Sequence, residues 1–190
     1  MDRRDCLSMG LGTLLSLPLA LQAQAQTPTR TQPPELLDWR LQGQGQMRFF
    51  GLLIYDIRLW TRDKFEAAQL RSQWNIQPVA LELEYARNLS GAEIAKRSLV
   101  EMRRQAEITE AQAKNWLTEM EAAFPDVKSG DRISGIHAPA SSTDFYVNGR
   151  LQRRIADADF SRLFFGIWLS PQSSEQGLRS KLLDGLDGAR

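Results

Sequence analysis

Between Leu41 and Trp60 the side chains alternate in character with a period of two, and that alternation limits what the rest of the chain can fold around. Leu41, Gly43, Gly45, Met47 and Phe49 fall on one side. Gln42, Gln44, Gln46 and Arg48 fall on the other, which makes a strand with one wet face. Gly51 breaks the run, and the alternation resumes with Leu53, Tyr55, Ile57 and Leu59 against Asp56 and Arg58. The spacing predicts two strands, 41–49 and 53–60, paired as an antiparallel hairpin. A hairpin with one apolar face needs partners, so the later segments are read as further strands or as cover.

Residues 61–77 carry only an imperfect helical pattern, through Phe65, Ala68 and Leu70. After Pro78, the residues Val79, Leu81, Leu83 and Tyr85 alternate with Ala80, Glu82, Glu84 and Ala86, which predicts a half-buried strand over 79–87. Ser90 and Glu93 have the spacing of a capping box, so a helix should open there. Its stripe is Ala95, Leu99, Met102 and Ala106 with Ile94 beside it, and Lys96, Arg97, Arg103 and Arg104 take the solvent side. Thr109 and Gln112 repeat the signal before a second stripe of Ala113, Trp116, Leu117, Met120 and Phe124, which Pro125 stops. Residues 128–131 turn the chain into a strand over 132–137. Strands over 143–147 and 151–155 flank Asn148-Gly149, a pair that accepts the positive φ of a tight hairpin turn. Asp157 or Asp159 can cap the last strong helix, whose stripe is Phe160, Leu163, Phe164, Ile167 and Trp168. Ser170-Pro171 ends it, and 178–186 reads as a short terminal helix. This order of elements indicates α+β, a mainly antiparallel sheet with helices covering one face.

The first residues read as an address. Charged residues 1–4, an apolar stretch over 7–21 and Ala23-Gln24-Ala25 have the layout of a cleaved secretory signal, 1–25. The apolar stretch falls short of the roughly 20 residues of a membrane span, which favours cleavage over a retained anchor. Arg3-Arg4 is compatible with the twin-arginine route and with ordinary export alike. Either route leads to the periplasm or the medium. Residues 26–35, rich in proline and threonine, read as an extended lead-in to one domain over 36–190. A net charge of +1 argues against a nucleic-acid partner.

The search for chemistry returns few candidates. Cys6 lies in the leader, so the mature chain is expected to lack disulfides, thiol nucleophiles and sulfur metal sites. No metal or cofactor is expected. Gly43-Gln44-Gly45 is followed by a strand, where a dinucleotide loop would open a helix; the glycines are read as letting another segment approach the sheet. His137 is read as a solvated or hydrogen-bonded side chain rather than a catalyst, with nothing to place it beside a serine. Asp126, Asp131 and Asp144 are read as turn residues, and Trp39, Trp60, Trp74, Trp116 and Trp168 as core. Arg48 interrupts a row of glutamines. Its guanidinium could bind a carboxylate or an enolate-like oxygen in two-point fashion, or could pair with Asp56 across the hairpin.

Five segments in order, GQGQMRFFGLLIYDIRLW, LELEYARNLSGAEIA, FPDVKSGDRIS, TDFYVNGR and FSRLFFGIWLSP, resemble the chalcone isomerase-like family, in particular its secreted bacterial branch. The resemblance implies an open-faced β-sandwich, a large antiparallel sheet with a layer of helices and an apolar cleft between them. In the plant isomerases of that family an arginine, a threonine, a tyrosine and an asparagine hold the substrate for an intramolecular ring closure. The matching places here are Arg48, after a motif lengthened by Met47, then Tyr55, Ile94 and the neighbourhood of Glu101. Isoleucine cannot stabilise an oxyanion. The resemblance therefore implies a non-catalytic exported member that binds a small apolar or fatty-acid-like ligand, with Arg48, Tyr55 and Ile94 as its ligand-binding residues. An isomerase of intramolecular lyase type with a rearranged site, and a periplasmic partner-binding module, are the alternatives.

Overall fold

The hairpin that opens the fold closes on two residues with positive φ, Phe50 at 48° and Gly51 at 78°. Such a pair turns a two-residue loop with the twist the flanking strands require. In the computed structural model, which describes residues 32–63 and 65–185, its strands are β1 (Arg40–Phe49) and β2 (Leu52–Thr61). The leader expected over 1–25 lies outside the described residues, as does the lead-in over 26–31; from there Pro34–Leu36 forms a 3-10 turn with Leu36 fully buried. The expected strand after Pro78 is β3 (Val79–Tyr85). β4 (Arg132–Ala138), β5 (Ser142–Val147) and β6 (Arg150–Ile155) complete a six-stranded sheet in which every neighbour is antiparallel and the spatial order is the chain order. Asn148 and Gly149, at φ 49° and 83°, make the turn between the last two strands.

Residues 61–77, weakly patterned in the sequence, contain a short helix α1 (Ala67–Gln73) followed by a 3-10 turn, Trp74–Ile76. α2 (Gly91–Met102) is shorter than its stripe implied, and the Ser90 capping box does not form. Asp126 performs that task from across the fold: its Oδ1 accepts the Gly91 N–H at 2.9 Å. Glu93 meanwhile turns to Lys96 at 2.9 Å. α3 (Glu110–Ala123) does start with the expected box, Thr109 and Gln112 each accepting the other's backbone N–H. α4 (Ala158–Leu169) is capped by Asp157, whose carboxylate accepts from Phe160 N–H at 2.9 Å. α5 (Gln176–Leu183) ends the described chain.

One face of the sheet carries the main core. Ile57 and Leu59 of β2, Leu81 and Leu83 of β3, and Phe145 of β5 share one core with the aromatic stripe of α4, which packs on β4 and β5. Phe145 stands edge-on to Phe124 and Phe164, with ring centroids 5.0 Å away in each case, and Phe160 stacks on Phe164 at 5.6 Å. α2 lies on α3 and α4, and α3 reaches the sheet at β6. The expected hairpin of helices is thus present, but α4 is the helix that packs on β4 and β5. No helix among the described residues is long and apolar enough to cross a membrane.

The other face is polar with one apolar patch. Leu36, Trp39, Trp60 and Ala80 form a second small cluster there. Under it Glu82, read from the alternation as solvent-facing, is only 1 % exposed. Arg58 at 3.1 Å, Arg132 at 3.7 Å and the Trp60 indole N–H at 3.1 Å surround its carboxylate. A buried carboxylate is tolerable when it is paired and hydrogen-bonded in this way. All five tryptophans are buried, as the sequence implied. Of the three aspartates read as turn residues, only Asp131 serves a turn; Asp126 accepts the distant Gly91 N–H at the start of α2, and Asp144 sits in β5 and binds Arg154 through both oxygens.

The glycines of β1 admit α5. A Cβ on Gly43 would land on the carbonyl oxygen of Leu182, which is backbone, and one on Gly45 would meet the Leu178 methyl, which can rotate away. Gly43→Ala is therefore expected to cost at least about 1–3 kcal/mol, with Gly45→Ala costing less, in urea titrations of both variants. Phe160, fully buried against Trp116, Phe145 and Phe164, should lose about 3–5 kcal/mol on Phe160→Ala by the same measurement.

Candidate functional site

The aromatic packing of α4 fills the sheet's inner face only in part. Towards the β1–β2 hairpin a cavity of about 310 Å³ opens between sheet and helices. Alternation along β3 turns Leu81, Leu83 and Tyr85 into its floor, and helical spacing brings Phe164, Ile167 and Trp168 of α4 to one wall. Ile94, Arg97, Ser98 and Glu101 of α2, a run at helical spacing, form the opposite wall. Met47, Phe49 and Ile54 of the hairpin border it as well.

The polar groups of this lining are few, and most are already partnered. Tyr55 lies beside Tyr85 with ring centroids 5.8 Å apart, and its phenolic oxygen accepts the Trp168 indole N–H at 3.0 Å. Burial pushes the Tyr55 phenol up to about 12, against a smaller downward pull from the Trp168 bond, and burial raises Tyr85 further still. Both stay protonated at neutral pH. They are O–H donors, not bases. Ser98 donates to its own helix at the Ile94 carbonyl, 2.8 Å. Glu101 is held by Arg97 at 2.6 Å and approached by Arg104 at 3.6 Å, with Glu93 and Glu175 also in the lining.

Tyr55 and Ile94, expected at the site, both line this cavity, together with Glu101. Arg48 does not. Its side chain is exposed and donates to Gln46 Oε1 at 3.0 Å and to the Gly51 carbonyl at 3.1 Å, at the hairpin tip. Nor does Arg48 pair with Asp56 as the alternative had it: the residue opposite Asp56 in the register is Gln46, which donates to it at 3.0 Å. A register irregularity between Met47 and Arg48 lies at this point of β1. Three lining groups escaped the sequence reading. Arg97 is on the solvent side as the sequence implied, 65 % exposed, but it also borders the cavity, paired with Glu101 at the i, i+4 spacing of a helix ion pair. Trp168 was taken as core alone. Tyr85 was placed correctly on the inner face of its strand without being linked to Tyr55, because cross-strand register is not written in either strand.

A second polar group is fully enclosed. His137 Nδ1 lies 2.6 Å from Ser161 Oγ, and Nε2 lies 3.0 Å from the Asn75 carbonyl. That carbonyl can only accept, which puts the imidazole proton on Nε2 and leaves Nδ1 to accept from Ser161. Thr143 Oγ1 donates to Ser161 Oγ at 2.7 Å. The sequence gave no reason to bring a serine to His137; the packing of α4 on β4 does so. With His137 at 1 % exposure and Ser161 at 0 %, no substrate reaches the pair from solvent, and its effect is to tie β4, β5, α4 and the Trp74–Ile76 turn together.

The chain matches the chalcone isomerase-like family over residues 22–184. It is 31 % identical over 111 residues to an uncharacterized protein of Haemophilus influenzae, a match covering 58 % of this chain and about half, 54 %, of that relative. The fold is similar to the crystal structure of a fatty-acid binding protein from Arabidopsis thaliana, with a TM-score of 0.62 and 12 % identity, covering 77 % of this chain and 87 % of that one.

The enclosed histidine predicts a pH dependence. Burial lowers the His137 value below its ordinary 6.5. Below about pH 6.5 the unfolded chain takes up a proton that the folded chain resists, so stability falls as the pH drops through that window. Urea midpoints at about pH 7.5 and about pH 5.5 should show a clear loss in the parent chain and a smaller one in His137→Gln. Glu119 and Asp131, held below the usual carboxylate range chiefly by Arg153 and by the Lys128 N–H, titrate at more acid pH and leave that window clear.

Proposed function

This chain belongs to the chalcone isomerase-like family, and on that footing we propose that it is an exported, non-catalytic member that carries a small apolar ligand of acyl-chain type between its sheet and its helices. The observation that carries the reading is the lining of the cavity: apolar side chains on every wall, two protonated phenols, and carboxylates that face cations or the rim. A volume of about 310 Å³ lies at the lower end of the range for small-molecule sites. The ligand class named for the Arabidopsis neighbour supports the reading through likeness of fold. Arg97 is the lining cation that an acidic end group would meet, in place of Arg48. Export to the periplasm or medium is supported by the leader pattern of residues 1–25 alone.

Ring closure by a rearranged isomerase would need donors aimed at a developing oxyanion. Ile94 offers none, and the Arg97 guanidinium is engaged by Glu101. The Tyr55 O–H favours the enzymatic alternative, since its oxygen accepts from Trp168 while its proton remains to be given; the Tyr85 phenol in the same lining is protonated too.

The test is displacement of a fluorescent fatty acid, with native mass spectrometry of the loaded protein. A stoichiometric adduct is expected. Ile94→Asp, which sets a carboxylate against the ligand, should weaken binding at least about tenfold, equivalent to about 1.4 kcal/mol, with little change in the urea midpoint. A clean unliganded mass after incubation with fatty acids would overturn the proposal in favour of a partner-binding module, and turnover of chalcone-like compounds would overturn it in favour of an isomerase.

A further inference from the structure

The β1–β2 hairpin ends in apolar side chains that nothing in the described fold covers. Phe50 is 89 % exposed, the highest value for a large apolar side chain among the described residues, and Phe49 and Leu52 beside it are 55 % and 53 % exposed. The Phe49 and Phe50 rings contact only edge to face, with centroids 4.5 Å apart. Phe50 also holds a positive φ of 48°, which glycine or asparagine adopts more easily than a bulky side chain. The turn thus presents an aromatic ring to solvent at a position whose backbone does not favour one. Phe49 lines the cavity as well, so the tip and the cavity are continuous.

Two cations flank the tip. Arg48 lies on it, bonded to the Gly51 carbonyl. Arg87 is exposed just past the end of β3, where Ala86 N–H donates to the Ile54 carbonyl of β2. Of the carboxylates at this end of the sheet, Glu93 is paired with Lys96 and Glu84 lies 3.9 Å from Arg58, while Asp126, Asp131 and Asp56 are hydrogen-bonded to neutral donors and keep their charge away from the tip residues themselves. A protein partner of ordinary affinity needs roughly 800 Å² on each side. Three side chains on a two-residue turn fall short of that, and the strand below presents Gln44, Gln46 and Asp56. A convex apolar tip ringed by arginines suits an anionic lipid surface, where the rings enter the acyl boundary and the guanidinium groups stay with the phosphates.

We infer that the β1–β2 hairpin tip, through Phe49, Phe50 and Leu52 with Arg48 and Arg87, inserts into the surface of an anionic bilayer and sets the neighbouring cavity against the membrane. An apolar ligand then passes between bilayer and cavity without crossing water. The transfer rests on the ligand-binding reading above; the docking does not. With one short apolar tip the attachment is weak and reversible, as a shuttling carrier requires.

The experiment is co-sedimentation of the purified protein with vesicles of phosphatidylcholine, with and without phosphatidylglycerol. Binding is expected on the anionic vesicles. It should weaken at least about tenfold in F50N/L52S and about fivefold in R48Q, since each arginine near such a surface contributes about a factor of five. Asparagine tolerates the backbone at position 50, so the urea midpoint of the double variant should match the parent's. The double variant should also bind a soluble fluorescent fatty acid as the parent does, but take it up more slowly from vesicles. Absence of vesicle binding by the parent, equal binding by F50N/L52S, or tip-dependent dimerisation without lipid would overturn the inference. Tip-dependent vesicle binding by a protein that takes no fatty acid would uphold the docking and overturn the ligand-binding reading instead.

Discussion

The contact between Phe145 on the sheet and the Phe160 and Phe164 rings of α4 is the interaction on which the other parts of the fold depend. A sheet of six sequential antiparallel strands has one apolar face and needs a cover. α4 supplies it with large, rigid rings, and Trp116 of α3 packs edge-on to Phe160 to extend the cluster. Because α4 lies over β4 and β5, the region towards β1 and β2 must be closed by something else. α5 closes part of it, through the side-chain-free surface of Gly43 and Gly45. The cavity occupies what remains, between α2, α4 and the hairpin.

The two faces of the sheet handle charge differently. On the outer face Glu82 is buried among Arg58, Arg132 and Trp60, so that the apolar cluster of Leu36, Trp39 and Trp60 can lie over it. On the inner face the cavity is mostly apolar, with two phenols and the Trp168 indole, and its charged groups, Glu101 paired with Arg97 among them, lie on the α2 wall and at Glu175. A lining of this kind leaves apolar contact as the main source of affinity. The buried His137 lies on the inner face as well, under α4. Enclosed by Ser161, Thr143 and the Asn75 carbonyl, it holds the far end of the helix layer onto β4 and β5, away from the cavity.

Much of the fold was legible in the sequence because it rests on local periodicity. The hairpin, β3, the aromatic stripe of α4, the Thr109 cap and the Asn148-Gly149 turn each carry their signal within a few residues. The segment over 61–77 was not legible, since α1 is seven residues long and buries only Leu70. The Ser90 box does not form, and the helix start is met instead by Asp126, 35 positions along the chain, which accepts the Gly91 N–H and which no local pattern announces.

The sequence by itself determined the fold class, the two faces of each strand, and a resemblance that led to Tyr55 and Ile94. Only the tertiary structure decided which groups share a cavity. Side-chain facing follows from a period of two, but it reverses with a single irregularity, and the one between Met47 and Arg48 lies where the guanidinium was in question. The burial of Glu82 and the serine beside His137 arise from elements that are distant in the chain or only meet once the helices settle on the sheet. Periodicity tells a residue which way to point, and packing alone tells it what it will find there.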